Sequence, residues 1–271
     1  MATTIKSFKG FDKDMKCRGF QYEVGKTYTH EGYISVYDRG FHACENPFDV
    51  LNYYNDIEGK YCEVEQSGNT QQKEDKIASS EIRIVAEIGF AGLFKAGVEW
   101  IKKITNPQTI IIATKGKDDD ASGNYAQIGS SGDSAQIGSS GYYAQIGSSG
   151  DSAQIGSSGY SAQIGSSGYY AKIGSSGYYA KIGSSGDSAQ IGSSGDSAQI
   201  DSTGEDSVIC CAGDNSKVKA SKGSWITLSE WEYNEEVKRH IPKCVKTGYV
   251  DGERIKADTC YKLINGEFTE I

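Results

Sequence analysis

The chain has 271 residues, 37% of them apolar, with 34 glycines against 3 prolines, and no apolar run approaches the ~18 residues of a membrane-spanning helix. Its 36 acidic residues outnumber 28 basic ones, for a net charge of −8. Direct nucleic-acid binding through phosphate neutralisation is therefore not expected, no membrane association is expected, and a basic partner surface is the better match.

The opening residues, Met1 to Gly10, carry neither the basic stretch nor the apolar run of a secretory signal, which predicts a cytoplasmic protein. Residues 1–108 read as an α+β domain. Strands are predicted over Ile5–Phe8, Phe20–Val24, Tyr33–Tyr37, Tyr61–Val64 and Ile82–Ile88. Asn46 as cap, Pro47 at the first helical position and apolar residues at helical spacing predict a helix through Tyr54. A second helix is predicted over Ala91–Ile101, with Leu93, Val98 and Ile101 on one buried stripe. Between these, Arg39 to Pro47 holds His42, Cys44 and Glu45, a base, a thiol and an acid beside a helix start. The simpler reading packs His42 and Cys44 on one strand face, because no further triad partner stands at a recognisable spacing; no catalytic residue is assigned.

The middle third is a repeat. From Tyr125 to Glu205 the chain reads as nine units of nine residues, YAQIGSSGD followed by close copies, without a slip in spacing. Ala and Ile recur two residues apart in every unit, from Ala126 and Ile128 to Ala198 and Ile200, with Gln or Lys between them. That is a strand signal, one face inward and one outward, and Gly-Ser-Ser-Gly supplies the turn through glycine's freedom at positive φ. A strand this short cannot bury its Ile alone, but stacked units can form a continuous core.

Taking every second unit sorts the residues after the second glycine. One column is Asp133, Asp151, Tyr169, Asp187, Glu205; the other is Tyr142, Tyr160, Tyr178, Asp196. The residue before alanine partly obeys the same rule, with Tyr125, Tyr143 and Tyr179 following the second column and Tyr170 the first. Two nonapeptides per coil explain this sorting, so the region is predicted to be a two-sided parallel β-solenoid of 18-residue coils and 9-residue repeats. It is placed at 109–228, with regular units at 125–205, Thr109–Ile112 as candidate starting cap, and Ser207–Ile209 and Ser216–Val218 extending the spacing. Candidate partner-binding residues are Asp133, Asp151, Asp187 and Glu205 together with Tyr125, Tyr142, Tyr143, Tyr160, Tyr178 and Tyr179.

Residues 229–271 read as a small C-terminal β-meander cap, with hairpin turns at Asp251-Gly252 and Asn265-Gly266. The fold class is therefore mixed: an N-terminal α+β domain, the solenoid and the cap. Seven scattered cysteines, without a C-x-x-C pair, read as reduced thiols, and Cys210 and Cys211 should point to opposite strand faces. No metal and no cofactor is assigned.

The nine-residue period resembles the calcium-binding nonapeptide repeats of secreted bacterial toxins, whose pattern is G-G-x-G-x-D-x-U-x. Here the acidic position follows the second glycine, lies four residues before Ile and is tyrosine in four of nine units, which leaves too few oxygen ligands for calcium. The overall order resembles a family of uncharacterised proteins encoded by bacteriophages and prophages. The phrases that carry this resemblance are GFHACENP at 40–47, the Gly/Ser/Tyr/Asp nonapeptides, and VDGERIKADTCYKL at 250–263. It carries no known enzymatic activity, and what it implies is a phage context. The expected function is a non-enzymatic module that binds a host protein, one with a basic or nucleic-acid-binding cleft, and inhibits a host defence or nucleic-acid-processing protein through its acidic and tyrosine positions. A structural virion, fibre or spacer protein is the first alternative, and an enzyme in the N-terminal domain the second. Homo-oligomerisation is left open.

Overall fold

The computed structural model describes residues 4–36, 38–104 and 123–271. They fall into two compact units, Met1–Trp100 and Ile101–Ile271.

The first unit begins with β1 (Ile5–Phe11), a short hairpin of β2 (Lys16–Cys17) and β3 (Phe20–Gln21), then β4 (Thr27–Thr29) and β5 (Phe41–Ala43). A single 3-10 turn (Pro47–Asn52) follows, then a long hairpin of β6 (Lys60–Lys73) and β7 (Lys76–Glu87), and helix α1 (Gly89–Ile104). The sheet runs β1-β6-β7-β4, with β5 also paired to β7. Phe90, Leu93, Phe94 and Val98 are buried from α1 at helical spacing. Gly97 admits the Phe48 ring, which a Cβ would meet at 2.5 Å.

Several expected elements change here. The helix after Asn46 is only a 3-10 turn: Asn46 caps it by accepting from Phe48 N at 3.1 Å, but the Tyr53 and Tyr54 amides both return to the Val50 carbonyl and the helix stops. Phe20–Val24 shrinks to two residues of strand, and in place of a strand near Tyr33 there is a tight loop closed by an isolated Ser35–Arg39 bridge. Tyr37 lies outside the described residues. The strands predicted at Tyr61–Val64 and Ile82–Ile88 are the inner halves of the β6–β7 hairpin. Its polar outer half lacks the apolar alternation that marks a strand, and Glu74 (φ 55°) takes the left-handed turn position.

The second unit is the two-sided parallel solenoid. Its four-residue strands are β8 (Gln127–Ser130), β9 (Gln136–Ser139), β10 (Gln145–Ser148), β11 (Gln154–Ser157), β12 (Gln163–Ser166) and β13 (Lys172–Ser175). They continue as β14 (Lys181–Ser184), β15 (Gln190–Ser193), β16 (Gln199–Ser202), β17 (Val208–Cys211) and β18 (Lys217–Ala220). Even-numbered strands stack in one sheet and odd-numbered strands in the other. Ile128 pairs with Ile146 and Ile146 with Ile164, while Ile137 pairs with Ile155 on the opposite wall, so two nonapeptides close each coil. About six coils span 127–228. The Ile side chains of successive coils form one buried ladder, joined by Ala162, Ala189 and Ala198, and each Ile side chain contributes roughly 1.5–3 kcal/mol by leaving water. The segment predicted to start the solenoid, Thr109–Ile112, lies outside the described residues.

The strand cap is built as two hairpins, one on each sheet. β19 (Trp225–Asn234) lies on β17 and pairs with β20 (Arg239–Tyr249); β21 (Cys260–Ile264) lies antiparallel on β18 and pairs with β22 (Glu267–Glu270). Because β19 starts within the last coil and runs past it, the expected boundary at 228/229 falls inside a strand. Asn265 (φ 52°) and Gly266 (φ 73°) make the expected tight turn, whereas Asp251-Gly252 lies in the connection that carries the chain from one sheet to the other. Val250, Ile255, Tyr261 and Leu263 close the end of the Ile ladder. Glu230 ties the hairpins together, accepting from Lys243 Nζ at 2.8 Å and Gly266 N at 2.7 Å.

Candidate functional site

The turns of the solenoid decide where its decorated residues stand. Within the repeat no glycine has positive φ; the left-handed position is taken two residues after the second glycine, by Tyr125, Ser134, Tyr143 and their counterparts through Asn215, at φ of 54° to 62°. The second glycine is needed for a different reason than the sequence suggests. A Cβ on Gly150, Gly159, Gly168, Gly177, Gly186, Gly195, Gly204 or Gly213 would overlap the carbonyl oxygen of the glycine one coil below. Close stacking of coils, rather than turn torsion, fixes that residue. The first glycine is unconstrained on the sheet of β9, β11, β13 and β15, where a Cβ on Gly138, Gly156, Gly174 or Gly192 would meet nothing within 4 Å; on the other sheet Gly147, Gly165 and Gly183 are buried.

Alternating turns fall on opposite edges. One edge carries Asp133, Asp151, Asp187 and Glu205, and the other carries Tyr125, Tyr142, Tyr143, Tyr160, Tyr178 and Tyr179. The structure thus gathers the six candidate tyrosines and separates them from the four acids. On the acidic edge the three aspartates also work inside the fold: Oδ1 of Asp133 accepts from Asp151 N at 3.1 Å, Asp151 from Tyr169 N at 2.9 Å, and Asp187 from Glu205 N at 2.9 Å. Asp196, on the tyrosine edge, does the same for Asp214 N at 2.9 Å. Aspartate there is therefore a coil-to-coil clamp as well as a charge, a role that the columns alone do not reveal.

Five of the six tyrosines are in mutual contact. Tyr125 stacks on Tyr143 with ring centroids 5.2 Å apart and planes within 7°, Tyr160 meets Tyr142 and Tyr143 at 6.1 Å, and Tyr179 meets Tyr160 at 5.3 Å. All six are exposed, from 36% for Tyr143 to 69% for Tyr125. They form an aromatic strip along one edge, five of the rings steadied by their neighbours.

The two outer sheet faces are unequal, which the repeat does not predict because both carry the same residues. Gln136, Gln154, Lys172 and Gln190 are exposed, while Gln145, Gln163 and Lys181 are buried. Burial pushes the Lys181 ammonium down to about 8 from 10.5. Between those values the folded chain holds fewer protons than the unfolded one, so stability rises with pH across that window. Lys181→Gln, which installs the residue found at Gln163, is expected to be more stable than wild type below pH 8 and to lose that advantage as pH climbs through the window. Urea midpoints of both chains across this range check it.

In the N-terminal unit, Arg39 to Pro47 is a packed strand and cap. Cys44 is 3% exposed, its backbone bridges Phe8 in both directions, and burial pushes its thiol up, opposite to the shift a nucleophile needs. His42 Nε2 lies 3.2 Å from the Ser35 carbonyl oxygen, and burial lowers its pKa. Glu45 accepts from Gln72 at 3.2 Å. Cys210 is exposed and Cys211 buried, as their adjacency on a strand requires.

Residues 5–96 match the family model described as Domain of unknown function (DUF7666), and the match ends before the repeat begins. A search of curated proteins finds no match, and a search of solved structures finds none.

Proposed function

We propose that the chain is a non-enzymatic binding module whose solenoid docks on another protein through its tyrosine edge. The observation that supports this is the strip of six exposed tyrosines, five of which contact one another. Exposed tyrosines offer large contact area at low entropic cost, and here the rings are already ordered by the coils beneath them, which lowers the cost of fixing them on a partner. A lone solvating surface has no need of such a strip.

The acidic edge gives the partner its character. Carboxylates at a fixed spacing, on a chain of net charge −8, favour a basic cleft and speed encounter with it. Together with the resemblance of the chain's phrases to phage and prophage proteins, this supports a cytoplasmic phage protein that occupies, and so inhibits, a host defence or nucleic-acid-processing protein. The phage context and the inhibition are parts of the proposal.

The test is capture by the immobilised full chain from a lysate of a bacterial host, followed by affinity measurement on the purified captured protein. The triple variant Tyr143→Ser, Tyr160→Ser, Tyr179→Ser should bind about 100-fold more weakly with an unchanged circular-dichroism spectrum. Equal affinity in the variant would remove the tyrosine edge as the docking surface, and recovery of the chain in purified virions without a captured host protein would favour the structural alternative.

A further inference from the structure

The N-terminal unit contains a cleft of about 430 Å³ that the solenoid argument does not use. Its floor holds Lys9, a lysine on β1 that is only 6% exposed. One N–H of Lys9 Nζ is donated to the His42 carbonyl at 2.8 Å, and the Cys17 thiol lies within hydrogen-bonding reach of the same amine. The charge also faces the rings of Phe11 and Tyr22, at 5.5 and 5.7 Å from their centroids. Among the described residues no carboxylate pairs with it. Burial lowers its pKa, which measures how poorly the cleft by itself supports the charge.

Buried cations without a counter-ion are expensive to keep, and a lysine that only filled space here could be replaced by methionine with a gain in stability. The surroundings suggest what the charge is for. Tyr22 and the half-exposed Phe20 stand edge to face at 4.8 Å and form an aromatic wall. Arg18, exposed beside the mouth, adds a second positive charge. Among the described residues the lining holds one acid, Asp38, which is exposed and lies 3.7 Å from Arg39. A further polar group waits unused: Nε2 of His30, on the same lining, is buried and has no hydrogen-bond partner among the described residues. A volume of this size with a few convergent polar groups suits a small organic molecule.

We propose that this cleft binds a small organic anion with a planar ring, its anionic group on the Lys9 ammonium and its ring against Tyr22 and Phe20. The proposal is independent of the docking surface on the solenoid. Bound anion supplies the counter-charge that Lys9 lacks, and the aromatic wall supplies the apolar surface for the ring.

The test uses two fluorescent probes on the full chain: anilinonaphthalene sulfonate, which carries a planar naphthalene ring and a negative charge, and phenylnaphthylamine, its uncharged parent. The sulfonate should bind saturably, more tightly than the uncharged probe, and be displaced by benzoate. Lys9→Met should weaken the sulfonate by about tenfold or more while leaving the uncharged probe within about twofold, as loss of one charge-assisted contact requires. If Lys9→Met does not keep the native circular-dichroism spectrum, Arg18→Gln, at an exposed position, decides: it should weaken the sulfonate by about threefold through loss of one rim charge. Equal binding of the two probes by wild type, no saturable binding, or unchanged sulfonate affinity in the deciding variant overturns the proposal.

Discussion

Gly177→Ala is expected to destabilise the solenoid by about 3 kcal/mol, while Gly174→Ala, three residues away, changes stability by no more than about 0.5 kcal/mol. The two glycines belong to one Gly-Ser-Ser-Gly turn and look equivalent in the sequence. At Gly177 a new Cβ overlaps the Gly159 carbonyl oxygen, with the Gly159 carbonyl carbon 2.8 Å away. That carbonyl is held in the neighbouring coil and cannot yield without spreading the stack, so the added methyl lengthens the hydrogen bonds between coils. At Gly174 the Cβ points outward into open space. Urea unfolding followed by tryptophan fluorescence reports on this, because Trp225 and Trp231 lie in the strand that closes the last coil. Equal effects at the two positions would contradict the stacking account.

Removal of residues 239–271 is expected to convert the chain from a dispersed protein to an aggregating one. The deletion takes away β20, which covers one edge of β19, and β21, which covers β18, so the last strand of each sheet is left with an open edge. It also removes Val250, Ile255, Tyr261 and Leu263, which are buried against the end of the Ile ladder. At roughly 1.5–3 kcal/mol for each large side chain, that loss is comparable to the whole stability of an ordinary domain. An open edge beside bare apolar side chains then pairs with other copies. Size-exclusion chromatography and a cross-β dye measure the outcome; a monodisperse truncated chain with native circular dichroism would show that the coils need no cap.

The solenoid was legible because a period-nine repeat shows its register directly, and the sorting of Asp133 and Asp151 from Tyr142 and Tyr160 gave the number of units per coil. The gathering of tyrosines on one edge followed from the same sorting. Other features were hidden for physical reasons. Residues at the left-handed turn position, such as Ser134 and Tyr143, carry none of the side chains that usually mark it, so glycine drew the attention. The clamp made by Asp151 depends on an amide eighteen residues away. In the N-terminal unit the polar half of β6 has no apolar alternation to betray a strand. Lys9 sits among Ser7, Phe8 and Gly10, a setting that reads as an ordinary exposed lysine; only the packing of both faces of β1 buries it.

Paired spin labels test the coil most directly. In a chain with Cys210 replaced by serine, labels at Tyr160→Cys and Tyr178→Cys sit on adjacent coils of the same edge, roughly 5 to 10 Å apart, and should broaden each other's spectrum strongly. Labels at Tyr160→Cys and Tyr169→Cys sit on opposite edges, separated by the length of a strand and its turns, roughly 20 Å, and should not. Broadening in the nine-residue pair, or in neither pair, would contradict a two-sided coil and dissolve the tyrosine edge with it.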